Sequence, residues 1–345
     1  MNNTKQKKRM TQAETNPYRY SDSNKRYYTM DYFLRGKFGG KVCKIPLDGG
    51  FTCPNRDGTK GVGGCSFCSD RGSGDFAACG SITEQITKGA EMMRRKWKDA
   101  MIIPYFQAFT STYAPLDILK KRFEEALSYP DISGLCIATR ADCITDECAK
   151  YLRELSRRTF LMVELGLQTT NDKTATHLNR GHTFEEFKAG YEKIKDLFVC
   201  IHIINGLPGE SKEDMLTTAR EVAELKPAAV KIHLLHVLKG TALAEEYKAG
   251  GFEAMTLTDY VETVCDQLEL LPEDTVIERL TGDGAEASLI APEWSKKKLV
   301  VQNEIDKELL RRNTHQGAEP ALPNEAPASG ESDGQTPTVA SGTVR

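Results

Sequence analysis

Three cysteines, Cys53, Cys65 and Cys68, sit in the glycine-rich stretch "DGGFTCPNRDGTKGVGGCSFCSDRGSGDF" at 48–76. Three is an odd number for disulfides, and thiolates are strong ligands for zinc and for iron–sulfur clusters. Cys-x2-Cys at 65 and 68 brings two thiolates to one metal or cluster, and Cys53 supplies a third. A structural zinc takes four closed ligands. The nearest histidines, His177 and His182, lie more than a hundred residues further on, and Cys79 is a weak fourth candidate. A 4Fe–4S cluster normally takes four cysteines. Held by three, it leaves one iron open to a substrate or cofactor. Glycines at 58, 61, 63 and 64 let the backbone wrap an inorganic cube closely.

The chain around this loop has 345 residues, 39% hydrophobic and 28% charged, with a formal charge of −3 and ten cysteines. Those values are ordinary for a globular protein with a full core. No apolar run reaches the length of a membrane span, and the polar start "MNNTKQKKRM" lacks an apolar signal segment. The expectation is a cytoplasmic protein with no membrane partner, in which reduced thiols bind metal rather than each other. Charge is uneven: residues 1–44 hold eleven Lys/Arg against three Asp/Glu, and Lys296, Lys297 and Lys298 form a second run. Such an arm is either a solvated surface or a phosphate contact.

The loop must be placed by the elements beside it. β-rich runs at 41–47, 101–109, 134–140, 160–168, 198–207 and 229–238 alternate with helix-length amphipathic stretches. Ser81 with Glu84 and Thr183 with Glu186 read as capping boxes, and Pro115 as a helix's first turn. Strands apolar on both faces, separated by helices, predict a parallel sheet with helical crossovers. Six such units point to an α/β fold, a partial (βα)6 TIM-like barrel, with a doubly wound open sheet as the alternative. In either, chemistry gathers at the carboxyl ends of the strands, and the cysteine loop follows the first strand. The organisation expected is a disordered basic arm (1–20), a barrel (21–272), a C-terminal α/β extension (273–312) and a disordered low-complexity tail (313–345).

The three cysteines, with Phe67 just before the last, resemble the radical S-adenosylmethionine (SAM) superfamily. The blocks "FQAFTSTY" (106–113), "ATRADC" (138–143), "VELGLQT" (163–169), "LNRGHT" (178–183), "HIINGLPGE" (202–210) and "ERLTGDGAEASLIAPEWSKKK" (278–298) resemble its YtqA/YhcC subgroup, related to the Elongator catalytic subunit's radical domain. The resemblance implies a radical SAM barrel whose Cys53, Cys65 and Cys68 hold a 4Fe–4S cluster. It implies SAM on the open iron, with Phe67 near the adenine. Thr110, Gln168 and Arg180 are implied to line the SAM site, and Ile203 and Gly206 to adjoin the adenine. It names no catalytic residue beyond the cluster. It further implies MnmL-type chemistry on the wobble uridine of tRNA, converting a 5-carboxymethylaminomethyl to a 5-aminomethyl group. The partners implied are tRNA, a one-electron donor such as flavodoxin or ferredoxin, and a downstream SAM-dependent methyltransferase.

Other polar residues read both ways. Arg140 and Glu164 are strand-end groups that suit either a structural ion pair or a ligand contact. His202, His233 and His236 alternate with apolar residues, so each is by default a satisfied core residue, with substrate contact the alternative. Cys143, Cys148 and Cys265 lack ligand spacing and read as small buried hydrophobes. Two other functions stay open: a radical SAM enzyme acting on a small molecule such as a tetrapyrrole, and a non-enzymatic zinc- or cluster-binding RNA module.

Overall fold

Each of the six β-rich runs contains a strand that joins one parallel sheet: β1 (Val42–Leu47), β2 (Met101–Phe106), β3 (Gly134–Thr139), β4 (Phe160–Gln168), β5 (Phe198–Asn205) and β6 (Ala229–Leu234). A computed structural model describes residues 16–72, 74, 76–282 and 287–319. The run expected at 229–238 breaks after Leu234, and β7 (Val237–Leu238) pairs instead, antiparallel, with β9 (Leu289–Ala291). The sheet also has a seventh parallel strand, β8 (Val276–Arg279), beside β6. That segment had been expected in a C-terminal extension. The result is a curled half-barrel of seven strands in the order β1-β2-β3-β4-β5-β6-β8. Among the described residues no helix is long and apolar enough to cross a membrane.

Both expected capping boxes form, at Ser81/Glu84 and Thr183/Glu186. Pro115 caps the Leu116–Leu127 helix. The helices cover the outer face of the sheet, where Ile45, Leu47, Phe106, Ile137, Leu165 and Ile201 are at most 1% exposed. Full burial of each such side chain contributes about 1.5–3 kcal/mol.

Side-chain alternation in β4 traces the barrel axis. Leu161, Val163, Leu165 and Leu167 join the helix-facing core. On the inner face Phe160 and Met162 pack in an apolar plug with Met30, Phe33, Leu34 and Phe38. Those four come from a helix at Met30–Phe38, absent from the sequence expectations, which is capped by Thr29 and ends at Gly39. Next along the inner face comes Glu164, then Gly166 and Gln168 at the strand's carboxyl end.

Glu164 is fully buried and is met from five other strands. Lys44 Nζ lies 2.7 Å away, Lys231 Nζ 3.0 Å and His202 Nε2 2.8 Å. Tyr105 OH donates at 2.5 Å, and the Cys136 thiol lies 3.1 Å off. Glu278 of β8 pairs with Lys44 (2.8 Å) and Lys231 (3.3 Å), so all seven strands share the network. Burial pushes the Glu164 carboxyl up, but Lys231, Lys44 and His202 outweigh it and hold it well below 4.5.

The two ends depart from expectation. Tyr18, assigned to a disordered arm, is 3% exposed and donates its hydroxyl to the Glu273 carbonyl (2.6 Å). Gln316, assigned to a disordered tail, is fully buried. Its amide donates to the Pro272 and Thr275 carbonyls (2.6 and 2.7 Å) and accepts from the Tyr28 N–H (2.9 Å). One aromatic and one amide thus satisfy backbone groups beside β8, which outweighs the polar composition around them. The arm before residue 16, with Lys5, Lys7, Lys8 and Arg9, and the tail after 319 lie outside the described residues.

Removing Glu164 leaves two buried ammonium groups facing Glu278 alone. Glu164→Ala is expected to cost about 3–5 kcal/mol in urea unfolding; a loss under about 1 kcal/mol would contradict the network. The Glu164 carboxyl is depressed in the folded state. Its contribution is therefore full above its unfolded value of about 4.5 and lost as pH falls through the lower folded value. Wild type should lose stability in that acid window more steeply than Glu164→Gln.

Candidate active site

Among its described residues the loop 48–80 contains no helix or strand, so its thiols are placed by contacts from elsewhere. Within it, the Cys53 carbonyl accepts from the Arg56 and Asp57 N–H groups (2.8 and 3.2 Å), and Cys65 O from the Cys68 N–H (2.9 Å). Further contacts come from outside it, most of those around the thiols from the turn 178–181. The Ser66 N–H donates to the Leu178 carbonyl (3.0 Å), and the Leu243 N–H to the Ser66 carbonyl (2.9 Å). The Asn179 amide donates to the Val62 and Gly64 carbonyls (3.2 and 2.8 Å). Asn55, fully buried, donates to the Asn179 carbonyl and lies 3.8 Å from Cys65 Sγ.

Arg180 ends in the centre of this arrangement. One guanidinium nitrogen donates to Cys65 Sγ (3.3 Å), the other to the Gly166 carbonyl (2.5 Å) and lies 3.1 Å from His182 Nε2. The guanidinium lies over the Phe67 ring, 6.0 Å from its centroid. Gln168 closes the group: a β-bulge ends β4, Gln168 has φ +80°, and its amide lies over Gly166 beside Arg180. Arg140 is structural. It pairs with Asp142 (2.9 Å) and donates to the Arg180 and Gly181 carbonyls (2.7 and 3.4 Å). Burial would raise the Asp142 carboxyl, but Arg140 and Lys60 hold it down to about 2. Glu164 is also structural, though its partners are Lys44, Lys231 and His202 rather than Arg140.

The thiols themselves are free, with Cys65 buried and Cys53 and Cys68 partly exposed. A hydrogen bond from Cys68 pulls the Cys65 thiol well down against burial, with Arg180 and Arg140 assisting, while the same bond pushes Cys68 up. Arg140 lies within electrostatic reach of both Cys53 and Cys65. Arg180 Nε and Ser66 Oγ are buried with no hydrogen-bond partner, which fits donors aimed at inorganic sulfide. Among the described residues no three Cys, His, Asp or Glu side chains converge at single-ion spacing. A cluster that takes each thiol on a different iron does not ask for that convergence. The donor set therefore fits a 4Fe–4S cluster.

Phe67, Gln168 and Arg180 thus meet beside Cys65, and two other expected residues, Ile203 and Thr110, do not stand open to a ligand. Ile203 is 1% exposed in the helix-facing core, so its side chain is on the wrong face of β5. Its neighbour Ile204 faces inward, in a cluster with Phe67, Leu178, Leu207, Leu235 and Leu243. Thr110 is 1% exposed, and its N–H is bonded to the Thr52 carbonyl (3.2 Å), bracing the cysteine loop from behind. Gly206 makes the strand-to-helix turn, its φ +81° and its N–H directed at Met215 Sδ (3.2 Å). Asn55 and Asn179 escaped the sequence reading. The sequence holds only a weak local sign of them, Asn55 after Pro54 and Asn179 two residues before Gly181, turn-forming surroundings in which asparagine bonds to nearby backbone.

A radical SAM superfamily model matches residues 55–222, and a radical SAM C-terminal domain model matches 227–311. The chain is 48% identical to YtqA of Bacillus subtilis over 308 residues, 88% of this chain and 96% of that protein. It is 29% identical over 155 residues to the tRNA uridine(34) acetyltransferase of Methanocaldococcus jannaschii, covering 44% of this chain and 28% of that one. Among solved structures, the archaeal Elp3 of Methanocaldococcus infernus superposes with a TM-score of 0.60 at 18% identity, over 80% of this chain and 64% of that chain. The chain belongs to the radical SAM superfamily, in the subgroup of YtqA and YhcC. Members of this superfamily bind a 4Fe–4S cluster and S-adenosylmethionine, and these are the cofactors of this enzyme.

Two glycines test the clamp. Gly63 and Gly181 both have positive φ, so alanine at either costs about 1–2 kcal/mol of backbone strain. A Cβ on Gly63 meets open space, whereas one on Gly181 would lie 2.6 Å from Asn55 Oδ1. Gly181→Ala should therefore lose cluster iron on reconstitution and Gly63→Ala should retain it, read as iron and sulfide per chain. Equal iron in the two variants would contradict the clamp.

Proposed function

We propose that this radical SAM enzyme acts on the wobble uridine of tRNA, converting 5-carboxymethylaminomethyl-2-thiouridine to 5-aminomethyl-2-thiouridine. Cys53, Cys65 and Cys68 would hold the 4Fe–4S cluster, and with three protein ligands it would keep a place for SAM. When bound, the two cofactors supply one electron and a 5′-deoxyadenosyl radical able to take a hydrogen atom from substrate. The chain's own residues bind and shield. Arg180 offsets the negative charge of thiolates and sulfides, Gln168 offers an amide to SAM, and Phe67 with Ile204 covers the adenine. The barrel wall keeps water from the reacting carbon.

The observation that carries the tRNA reading is the similarity to the tRNA uridine(34) acetyltransferase. The chemistry agrees with it. A methylene between an amine nitrogen and a carboxylate gives a stabilised radical on losing hydrogen. Loss of one further electron to a one-electron carrier would give an imine, and water would cleave its C–N bond to leave the amine and release the two-carbon part as glyoxylate. The aminomethyl product would pass to a SAM-dependent methyltransferase, and a ferredoxin or flavodoxin would supply the electron. An unstacked wobble base can be drawn out of the anticodon loop and read on its edges.

Reconstituted enzyme, SAM, dithionite and carboxymethylaminomethyl-modified tRNA should yield the aminomethyl nucleoside, read by mass spectrometry of the digest, together with 5′-deoxyadenosine. Alanine at Cys53, Cys65 or Cys68 should abolish both products. SAM cleavage with an untouched uridine, under conditions where the tRNA binds, would overturn the substrate and favour a small molecule. Cluster iron retained when all three cysteines are replaced would overturn the ligand assignment.

A further inference from the structure

His182 is buried, and both of its ring nitrogens are engaged. Nε2 lies 3.1 Å from Arg180 Nη2, and Nδ1 lies 3.2 Å from the Thr183 carbonyl. A guanidinium only donates and a carbonyl only accepts. The ring proton therefore sits on Nδ1 and is donated to Thr183, which leaves the Nε2 lone pair to accept from Arg180. An imidazolium would turn an N–H against the guanidinium. Burial, with Arg180 and Arg140 beside the ring, pushes the imidazole down to about 4, which agrees with the neutral form. The anchor is firm, because the Thr183 carbonyl also accepts from the Phe187 N–H (3.0 Å) as the Phe184–Glu192 helix begins. The Phe187 ring packs alongside the imidazole, 27° from parallel.

Arg180 Nη2 carries two N–H groups and has two acceptors, the Gly166 carbonyl (2.5 Å) and His182 Nε2. With both taken, the plane of the guanidinium is set. In that plane Nη1 donates to Cys65 Sγ (3.3 Å), and Nε is buried with no partner. The Gly166 carbonyl alone would let the fork pivot about one bond. Neutrality of the acceptor matters as well. A carboxylate at this place would hold the fork and cancel its charge, as Asp142 does for Arg140 (2.9 Å). A neutral nitrogen holds the guanidinium and leaves its charge to the thiolate. Hydrogen bonds and positive charge at a cluster's sulfurs favour its reduced, more negative state and so raise its reduction potential.

We propose that His182 is a positioning residue for the cluster: its Nε2 lone pair holds the Arg180 guanidinium on Cys65 and thereby raises the potential at which the cluster accepts its electron. The inference rests on Cys65 as a cluster ligand and not on the substrate, so it is independent of the tRNA reading.

The test is a redox titration of the reconstituted full chain without SAM, followed by electron paramagnetic resonance, with iron and sulfide counted per chain. His182→Phe keeps a ring beside Phe187 but has no acceptor, and His182→Gln places an amide oxygen near the position of Nε2. With iron unchanged, His182→Phe should be about tenfold harder to reduce at a given potential, a fall of about 59 mV for one electron. His182→Gln should recover most of that loss. An unchanged potential in a fully loaded His182→Phe overturns the role, and so does a His182→Gln shifted as far as His182→Phe. If His182→Phe takes up too little iron to titrate, or if wild type holds no cluster and the ligand reading fails, the tautomer decides. Long-range proton–nitrogen spectra of the histidine-labelled full chain, with His182→Gln identifying the signal, should show the proton on Nδ1 at neutral pH. That result sustains the proposal; a proton on Nε2, or on both nitrogens, overturns it.

Discussion

A glycine-rich loop with no helix or strand among its described residues keeps three thiols in register only if other elements carry its backbone. Here the turn 178–181 does so, more than a hundred residues along the chain. Its Leu178 carbonyl, Asn179 amide and Arg180 guanidinium each reach a different part of the loop. The unusual backbone of the region follows from that demand. Gln168 and Asn179 both take positive φ, at the end of β4 and within the clamping turn. Such strain persists where surrounding contacts over-determine it, which is typical of sites rather than of packing. Arg140 completes the arrangement by holding the Arg180 and Gly181 carbonyls, and its charge also reaches Cys53 and Cys65.

The clamp in turn needs a rigid wall, and the barrel supplies one by dividing its interior. An apolar plug closes the strands' starting end, a charged network spans the middle, and the carboxyl ends are left to the cysteine loop. The network is where the interior is most constrained. With Glu164 fully buried, no water replaces a lost partner; six of the seven strands meet at its carboxylate, and β8 joins through Glu278. A buried ion network of this kind contributes less to net stability than to uniqueness, because its charges were desolvated to make it. That suits an enzyme whose reacting groups must be held still.

Much of this was legible in the sequence because its signals are local. Apolar runs on both faces marked six strands, and Ser81/Glu84 and Thr183/Glu186 marked helix starts. The thiols were legible from type and spacing alone. What was missed is non-local or short. β8 has four residues, two of them charged, and reads as surface until Glu278 is seen paired with Lys44 across the barrel. Ile203 and Ile204 are chemically identical neighbours, so only strand parity tells which one faces the interior. Tyr18 and Gln316 sit in polar stretches whose composition argues for disorder, yet single side chains satisfy buried carbonyls there. Asn55 and Asn179 act through backbone contacts between distant segments, which no spacing rule reveals.

The central claim is that three thiols from one clamped loop hold the cluster and leave one iron for SAM. The most direct measurement is the electron paramagnetic resonance spectrum of the reduced, reconstituted protein before and after SAM labelled with 17O in its carboxylate is added. The account predicts a spectrum that shifts on addition and broadens with the label, as expected when the carboxylate reaches iron. A spectrum indifferent to SAM would contradict it, because the fourth iron would then be closed by a ligand from the protein.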